Sequence, residues 1–392
     1  MQAPKFHHET LLSHSGREPK KLGGTVNTPV YRASTLLFPT VEALQAVHGT
    51  LNTYGRHGNP TTRALEAALC ELEGAFGAML TPSGLSALTC ALLAMLKPGD
   101  HLLMTDSVYD PTRAFCEGTL KRLGIETTYY DPKIGGGIRE LMQPNTRVVF
   151  VESPGSLTFE VQDIPAISAV AHEYGAVVML DNTWGTPIHF PSFKHGVDIS
   201  IHAATKYIVG HSDVLMGVIM TSRALYPQVR GFYKQLGLSI SADDAYLALR
   251  GLRTLSARLE RHQRNAHQVA AWLAAQPEVE QVLYPALPGS PGYDIWRRDF
   301  TGACGLFAIQ LQAMPASAVS AMLDGMQLFG MGYSWGGYES LILLTDPASC
   351  RTATSWHSKG PLIRIHVGLE HPDDLIADLH AGLERLRETV DV

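Results

Sequence analysis

Short continuous apolar runs alternate along much of this chain with longer stretches whose apolar positions recur every three or four residues. RALEAALCELEGAFG (63–77) and SGLSALTCALLAMLKPGD (83–100) have the helical period. The first stops at Gly74 and Gly77, the second at Pro98-Gly99. HLLMT (101–105), RVVFVE (147–152), AVVMLD (176–181) and VDISIHAA (197–204) read as strands, with helices over 111–124 and 164–175 between them. Continuously apolar strands that alternate with helices predict a large, mostly parallel sheet covered on both faces. A further strand, VLMGVIMT (214–221), precedes a long helical stretch over roughly 243–275. Beyond it the pattern changes to α+β: strands LFAIQL (306–311), SLILL (340–344) and LIRIHVG (362–368), then a closing helix over 374–390. The expected organisation is an α/β fold with an extended N-terminal arm (1–60), a large sheet domain (61–256) and a smaller C-terminal α+β domain (257–392).

The arm is rich in Thr, Pro, Gly and Asn and needs a surface to lie on, which in an oligomer a neighbour supplies. The net charge of −6 comes without any Lys/Arg run, so neither nucleic acid nor a membrane surface is an expected partner. The first residues lack the apolar core of a signal peptide, and the longest apolar run, ALTCALLAML (87–96), is too short to span a bilayer. Five dispersed cysteines without a CxxC pair suit reduced thiols in a cytoplasmic enzyme. The 17 histidines form no HExxH cluster, so no metal site is expected. The GGG at 135–137 follows Asp131-Pro132 with no strand leading into a helix, and reads as a loop.

Ligands of open α/β sheets sit at the carboxyl ends of the strands. There the sequence delivers Tyr109 after the strand 101–105, Asp181 at the end of 176–181, and Thr205-Lys206 after 197–204. The helix at 83 opens with Ser83-Gly84, and free N–H groups at such an end bind phosphate. An aromatic ring, a carboxylate, an amine and a phosphate cup together suit pyridoxal 5′-phosphate. The amine ties down its aldehyde, the carboxylate keeps its ring nitrogen protonated, and the aromatic side chain stacks on its face.

The strings DNTW (181–184), ATKYIVGHSD (204–213) and SGLSA (83–87) resemble the Cys/Met-metabolism branch of the fold-type-I pyridoxal-phosphate enzymes. So do YGRHGNPT (54–61), YDPTRAF (109–115), ESPGS (152–156), RGLRTLSAR (250–258), RRDFTGACGLF (297–307) and LIRIHVGLE (362–370), so the resemblance runs over nearly the whole chain. YSWGGYESL (333–341) and the Ala203 of HAATKY point within the branch to members that eliminate at Cβ. The resemblance implies Lys206 as the lysine that carries the cofactor, Asp181 as partner of its ring nitrogen and Tyr109 as the stacking ring. Ser83, Gly84, Leu85 and Thr205 surround the phosphate, and Tyr54 and Arg56 reach the phosphate in a neighbouring subunit's site. Arg364 binds the substrate α-carboxylate, Ser334 orients Lys206, and Trp335 borders the pocket. Lys206, Tyr109 or Tyr54 protonates the leaving sulfur. The implied assembly is a homotetramer built from dimers with shared sites. The implied reaction is β-elimination at the carbon–sulfur bond of L-cystathionine. A cysteine desulfhydrase, a broader C–S lyase and the γ-lyase or γ-synthase reactions stand as alternatives. At the distal end of the substrate the chain departs from the pattern: His57 replaces an arginine, and Arg113-Ala114 stands where an acid would meet an ammonium.

Overall fold

The computed structural model describes residues 6–47 and 53–390. Seven strands build the larger sheet: Gly77–Thr81 (β1), His101–Thr105 (β2), Glu126–Tyr130 (β3), Thr146–Glu152 (β4), Val177–Asp181 (β5), Ile199–His202 (β6) and Gly217–Thr221 (β7). Their order across the sheet is β1-β7-β6-β5-β4-β2-β3. The run from β6 to β3 is parallel, while β7 is antiparallel to both β6 and β1. β7 runs the other way because residues 203–216 hold no crossover helix, only the turn that contains Lys206.

Successive residues of the central strands bury on opposite sides, as the pleat requires. Leu103, Val149, Val151, Val178 and Leu180 join one apolar cluster; Leu102, Met104, Val148, Phe150 and Met179 join the other. Burial on both faces explains why these strands read as unbroken apolar runs. β3 was invisible in the sequence because ETTYY at a sheet edge has few apolar positions.

The second sheet contains Val279–Leu283 (β8), Leu306–Leu311 (β9), Gly330–Met331 (β10), Leu341–Thr345 (β11) and Leu362–His366 (β12), in the order β10-β11-β12-β9-β8. It is antiparallel apart from the β10–β11 pair. The helix expected over 243–275 is two helices, Ala242–Arg253 and Leu255–Ala274, which meet at Thr254. That break falls beside the boundary expected at 256.

Three expectations need correction. The arm is not wholly extended: His8–His14 is a helix whose Leu11 and Leu12 lie in the main core, fastened by Arg253 donating to the carbonyls of Leu12 and Ser15. Residues 1–5 and 48–52 of the arm lie outside the described residues. The helix expected over 111–124 begins at Asp110 and widens to a π turn at Cys116–Leu120. The glycines at 135–137 open a 3₁₀ segment, Gly135–Leu141. Among the described residues, no helix is long and apolar enough to cross a membrane.

Candidate active site

Asp181 closes β5 and is register partner of both Glu152 on β4 and Ile201 on β6. Asp181 Oδ1 accepts the N–H of Thr183 (3.0 Å) and its hydroxyl (2.5 Å), whereas Oδ2 has no partner among the described residues. Burial pushes the Asp181 carboxyl up, against Thr183, His202 and Lys206, which favour the charged form. Tyr109 follows β2, and its N–H donates to Glu152 Oε2 at 2.8 Å.

The strand expected to continue to 204 ends at His202. The N–H of Ala203 leaves the ladder and donates to Thr183 Oγ1 (2.8 Å). Lys206 N–H then bonds back to Ala203 O, and Gly210 N–H bonds to Lys206 O. A turn tied to the Asp181 segment therefore delivers the amine, which is how a buried strand can be followed by a usable lysine. Lys206 Nζ donates to Ser334 Oγ at 2.7 Å and stands 5.3 Å from the Trp335 ring centroid. Burial, with the Arg364 charge second and Asp181 opposing, brings its pKa down to about 8.

The loop before β11 is pressed against that lysine. A Cβ on Gly336, at φ +86°, would sit 2.9 Å from Cα and C of Lys206, so only glycine fits. Ser334 is also left-handed, at φ +84°. Such strain at a residue that touches the amine is typical of functional sites. Arg364, in the middle of β12, donates through Nη2 to Ser334 O (3.1 Å) and Gly332 O (3.4 Å). Its Nε and Nη1 have no hydrogen-bond partner among the described residues. Burial lowers its pKa, and the nearby hydroxyls of Tyr109 and Tyr333 oppose that.

Ser83 caps the helix Gly84–Met95: its Oγ accepts Ser86 N–H (3.1 Å), and Ser86 Oγ accepts Ser83 N–H (3.0 Å). Between them the N–H groups of Gly84 and Leu85 have no acceptor among the described residues. A Cβ on Gly84 would meet Ala203 Cβ at 2.5 Å, so the helix start rests directly on the turn before Lys206. Thr205 Oγ1 donates to Met216 O (3.2 Å) and accepts Met216 N–H (2.9 Å).

Lys206, Asp181, Tyr109, Ser334, Trp335, Arg364 and the Ser83 helix start thus meet at one end of the parallel sheet. Tyr54 and Arg56 do not join them within the chain. Both are exposed; Arg56 stacks on Tyr54 at 5.1 Å, and Gly55 N–H bonds to Ser34 O. Arg113, where an acid was expected to face the distal ammonium, is held inside the fold. It is buried, paired with Asp106 at 2.6 Å, and its guanidinium lies 3.6 Å from the Tyr129 ring centroid. Sequence reasoning passed over Glu152, although it ends RVVFVE as Asp181 ends AVVMLD.

The donor set fits pyridoxal 5′-phosphate. It offers an amine of lowered pKa, an aromatic face and, among the described residues, a carboxylate oxygen with no partner and unclaimed N–H groups at a helix start. Fold and site together define an α/β enzyme built around this cofactor. More narrowly, the chain belongs to the Cys/Met metabolism PLP-dependent enzymes, a family it matches over residues 9–384. It is 46% identical over 390 residues to the cystathionine beta-lyase of Salmonella typhimurium strain LT2, covering 96% of this chain and 98% of the relative. It is 45% identical over 390 residues to the cystathionine beta-lyase MetC of Escherichia coli strain K12, covering 96% and 98%. Among solved structures, a cystathionine gamma synthase from Xanthomonas oryzae pv. oryzae, in complex with aminoacrylate and cysteine, superposes with a TM-score of 0.91 at 32% identity. That match covers 98% of this chain and 99% of the other.

Proposed function

We propose that the chain is a carbon–sulfur lyase that cleaves L-cystathionine by β-elimination to homocysteine, pyruvate and ammonia, a step in methionine biosynthesis. The observation that carries this reading is the Lys206 amine, lowered to about 8 and held between Ser334, Trp335, Arg364 and the free side of Asp181. When bound, pyridoxal 5′-phosphate supplies a covalent hold on the substrate amine and an electron sink for the carbanion at Cα.

The chain's own residues do the rest. Arg364 receives the substrate α-carboxylate with the donors that Ser334 O and Gly332 O leave free, a fork that lysine cannot copy. Lys206, readily neutral near pH 8, removes the proton from Cα as general base. Asp181 Oδ2 holds a proton at the ring nitrogen, and Tyr109 covers the ring. Burial and the surrounding carboxylates push the Tyr109 phenol up, so it keeps a proton to give to the departing sulfur, as Lys206 or Tyr54 also can. Gly84 and Leu85 offer N–H groups to the phosphate, joined by the hydroxyls of Ser83 and of Thr205, which would release Met216 O to do so.

Tyr54 and Arg56 act across a subunit boundary in a homotetramer of dimers with shared sites; sedimentation analysis checks the assembly. The cysteines, all unpaired, suit the cytoplasm. Product identification with L-cystathionine tests the reaction. Pyruvate with homocysteine is expected, while 2-oxobutyrate would replace this reading with γ-elimination. Faster turnover of cysteine or cystine would make it a desulfhydrase.

A further inference from the structure

Glu152 and Asp181 are register partners at the ends of adjacent parallel strands, but their company differs. Asp181 has two bonds from Thr183, and Lys206 and His202 nearby favour its charged form. Glu152 is only partly accessible, and its carboxylate has one partner among the described residues, the N–H of Tyr109 on Oε2. Oε1 has none. Carboxylates at neighbouring strand ends disfavour each other's charge, and Lys206 beside Asp181 favours the charge there. Burial and then the Asp181 charge push the Glu152 carboxyl well up, with the Tyr109 N–H opposing.

The segment that presents Tyr109 is gripped at two points by the end of β4 and the loop after it. Ser107 O accepts Ser156 N–H at 2.8 Å, and Tyr109 N–H reaches Glu152. Gly155 lies so near Ser107 that a Cβ would be 2.3 Å from its Oγ. Tyr109 as a whole is 45% exposed, so its placement leans on this backbone seat.

We propose that Glu152 is a positioning residue of the site: its carboxyl oxygen seats the Tyr109 backbone so that the ring lies against the cofactor. The inference rests on the reading of Tyr109 as the ring-stacking side chain, and not on which thioether is cleaved.

The test compares the holoenzyme variants E152Q, E152D and E152A. It uses two readouts: circular dichroism of the cofactor's visible band without substrate, and kcat and KM with substrate. Glutamine offers an acceptor oxygen at the same reach without charge. E152Q should therefore keep the dichroic band and stay within about threefold of the parent in kcat, since the one hydrogen bond survives. Aspartate keeps the acid but is one methylene short. E152D and E152A should weaken the band and lower kcat by about tenfold, the worth of one such bond, with KM less affected. If E152Q falls as far as E152D, charge or proton transfer at Glu152 is required and the proposal is wrong. An unchanged band and kcat in E152A would overturn it too. Should E152A not fold, the order of the Gln and Asp variants decides. A parent enzyme without a visible cofactor band would instead refute the reading of the site as a whole.

Discussion

The site is assembled from two regions built on opposite principles. Asp181, Glu152 and the turn that holds Lys206 belong to the seven-stranded sheet, where ladder register and burial on both faces define each strand end. Ser334, Trp335 and Arg364 come from the smaller domain. Two of them sit on a loop with a left-handed serine and a glycine packed against the Lys206 backbone, and single hydrogen bonds join it to the amine and to Arg364. On the proposed reading, Asp181 and Lys206 of the first region are groups the reaction cannot do without, while Glu152 only seats Tyr109. The second sets how the amine and the incoming carboxylate are placed and how readily the amine loses its proton. Loss of Lys206 or Asp181 should therefore stop the reaction, and damage to the second region should change its rate, affinity or pH dependence in graded steps.

The sharpest way to break this contrast is Lys206→Ala. It removes both the covalent hold and the base, and turnover should fall by about 10⁴-fold or more. The absorbance of the lysine-bound cofactor should vanish, while far-UV circular dichroism stays that of a folded protein. Lyase activity near that of the parent would show that the sheet end does not perform the chemistry.

The two regions were not equally legible in the sequence. Asp181 and Lys206 could be found because a continuous apolar run signals a strand buried on both faces, and polar residues at its carboxyl end then stand out. The same signal was present at Glu152 and was missed, because the carboxylate's meaning depends on which strand lies beside β4, and pairing order is a tertiary property. Ser334 and Arg364 came only by resemblance. Nothing in local periodicity says that Ser334 takes φ +84° or that Gly336 must fit against the Lys206 backbone. The His8–His14 helix was missed for a related reason: its two buried leucines make sense only against the core they enter.

Changes in the loop domain should be graded. Arg364→Ala removes charge-assisted hydrogen bonds worth about 1.5–3 kcal/mol, so kcat/KM should fall by roughly 10- to 150-fold, mostly through KM. Arg364→Lys should recover little, because a point charge does not reproduce the fork. The same change has a signature in pH. Lys206 is lowered from its ordinary range to about 8 by burial and then by the Arg364 charge. The base must be neutral, so kcat should rise with pH through that region and level off above it. Without Arg364 the amine holds its proton more tightly, and the rising limb should move to higher pH. A limb that stays in place would mean that Arg364 does not act on Lys206. Gly336→Ala forces a side chain into the Lys206 backbone at positive φ and should destabilise the protein by about 1–3 kcal/mol, read as a lower midpoint in urea.

Ser334→Ala should have the smallest effect, and it separates positioning from electrostatics. The hydroxyl sits 2.7 Å from Lys206 Nζ. A hydroxyl can accept from the ammonium form and donate to the neutral amine, so its loss penalises both. The net worth of such a bond is about 0.5–1.5 kcal/mol, which corresponds to a drop in kcat of roughly 2- to 12-fold. Because both forms lose a partner, the pH limb should stay where it is, unlike the limb of Arg364→Ala. If the Ser334 variant moves the limb upward as the Arg364 variant does, the serine is chiefly holding the amine in its neutral form. The loop would then be tuning the base through two residues in place of one.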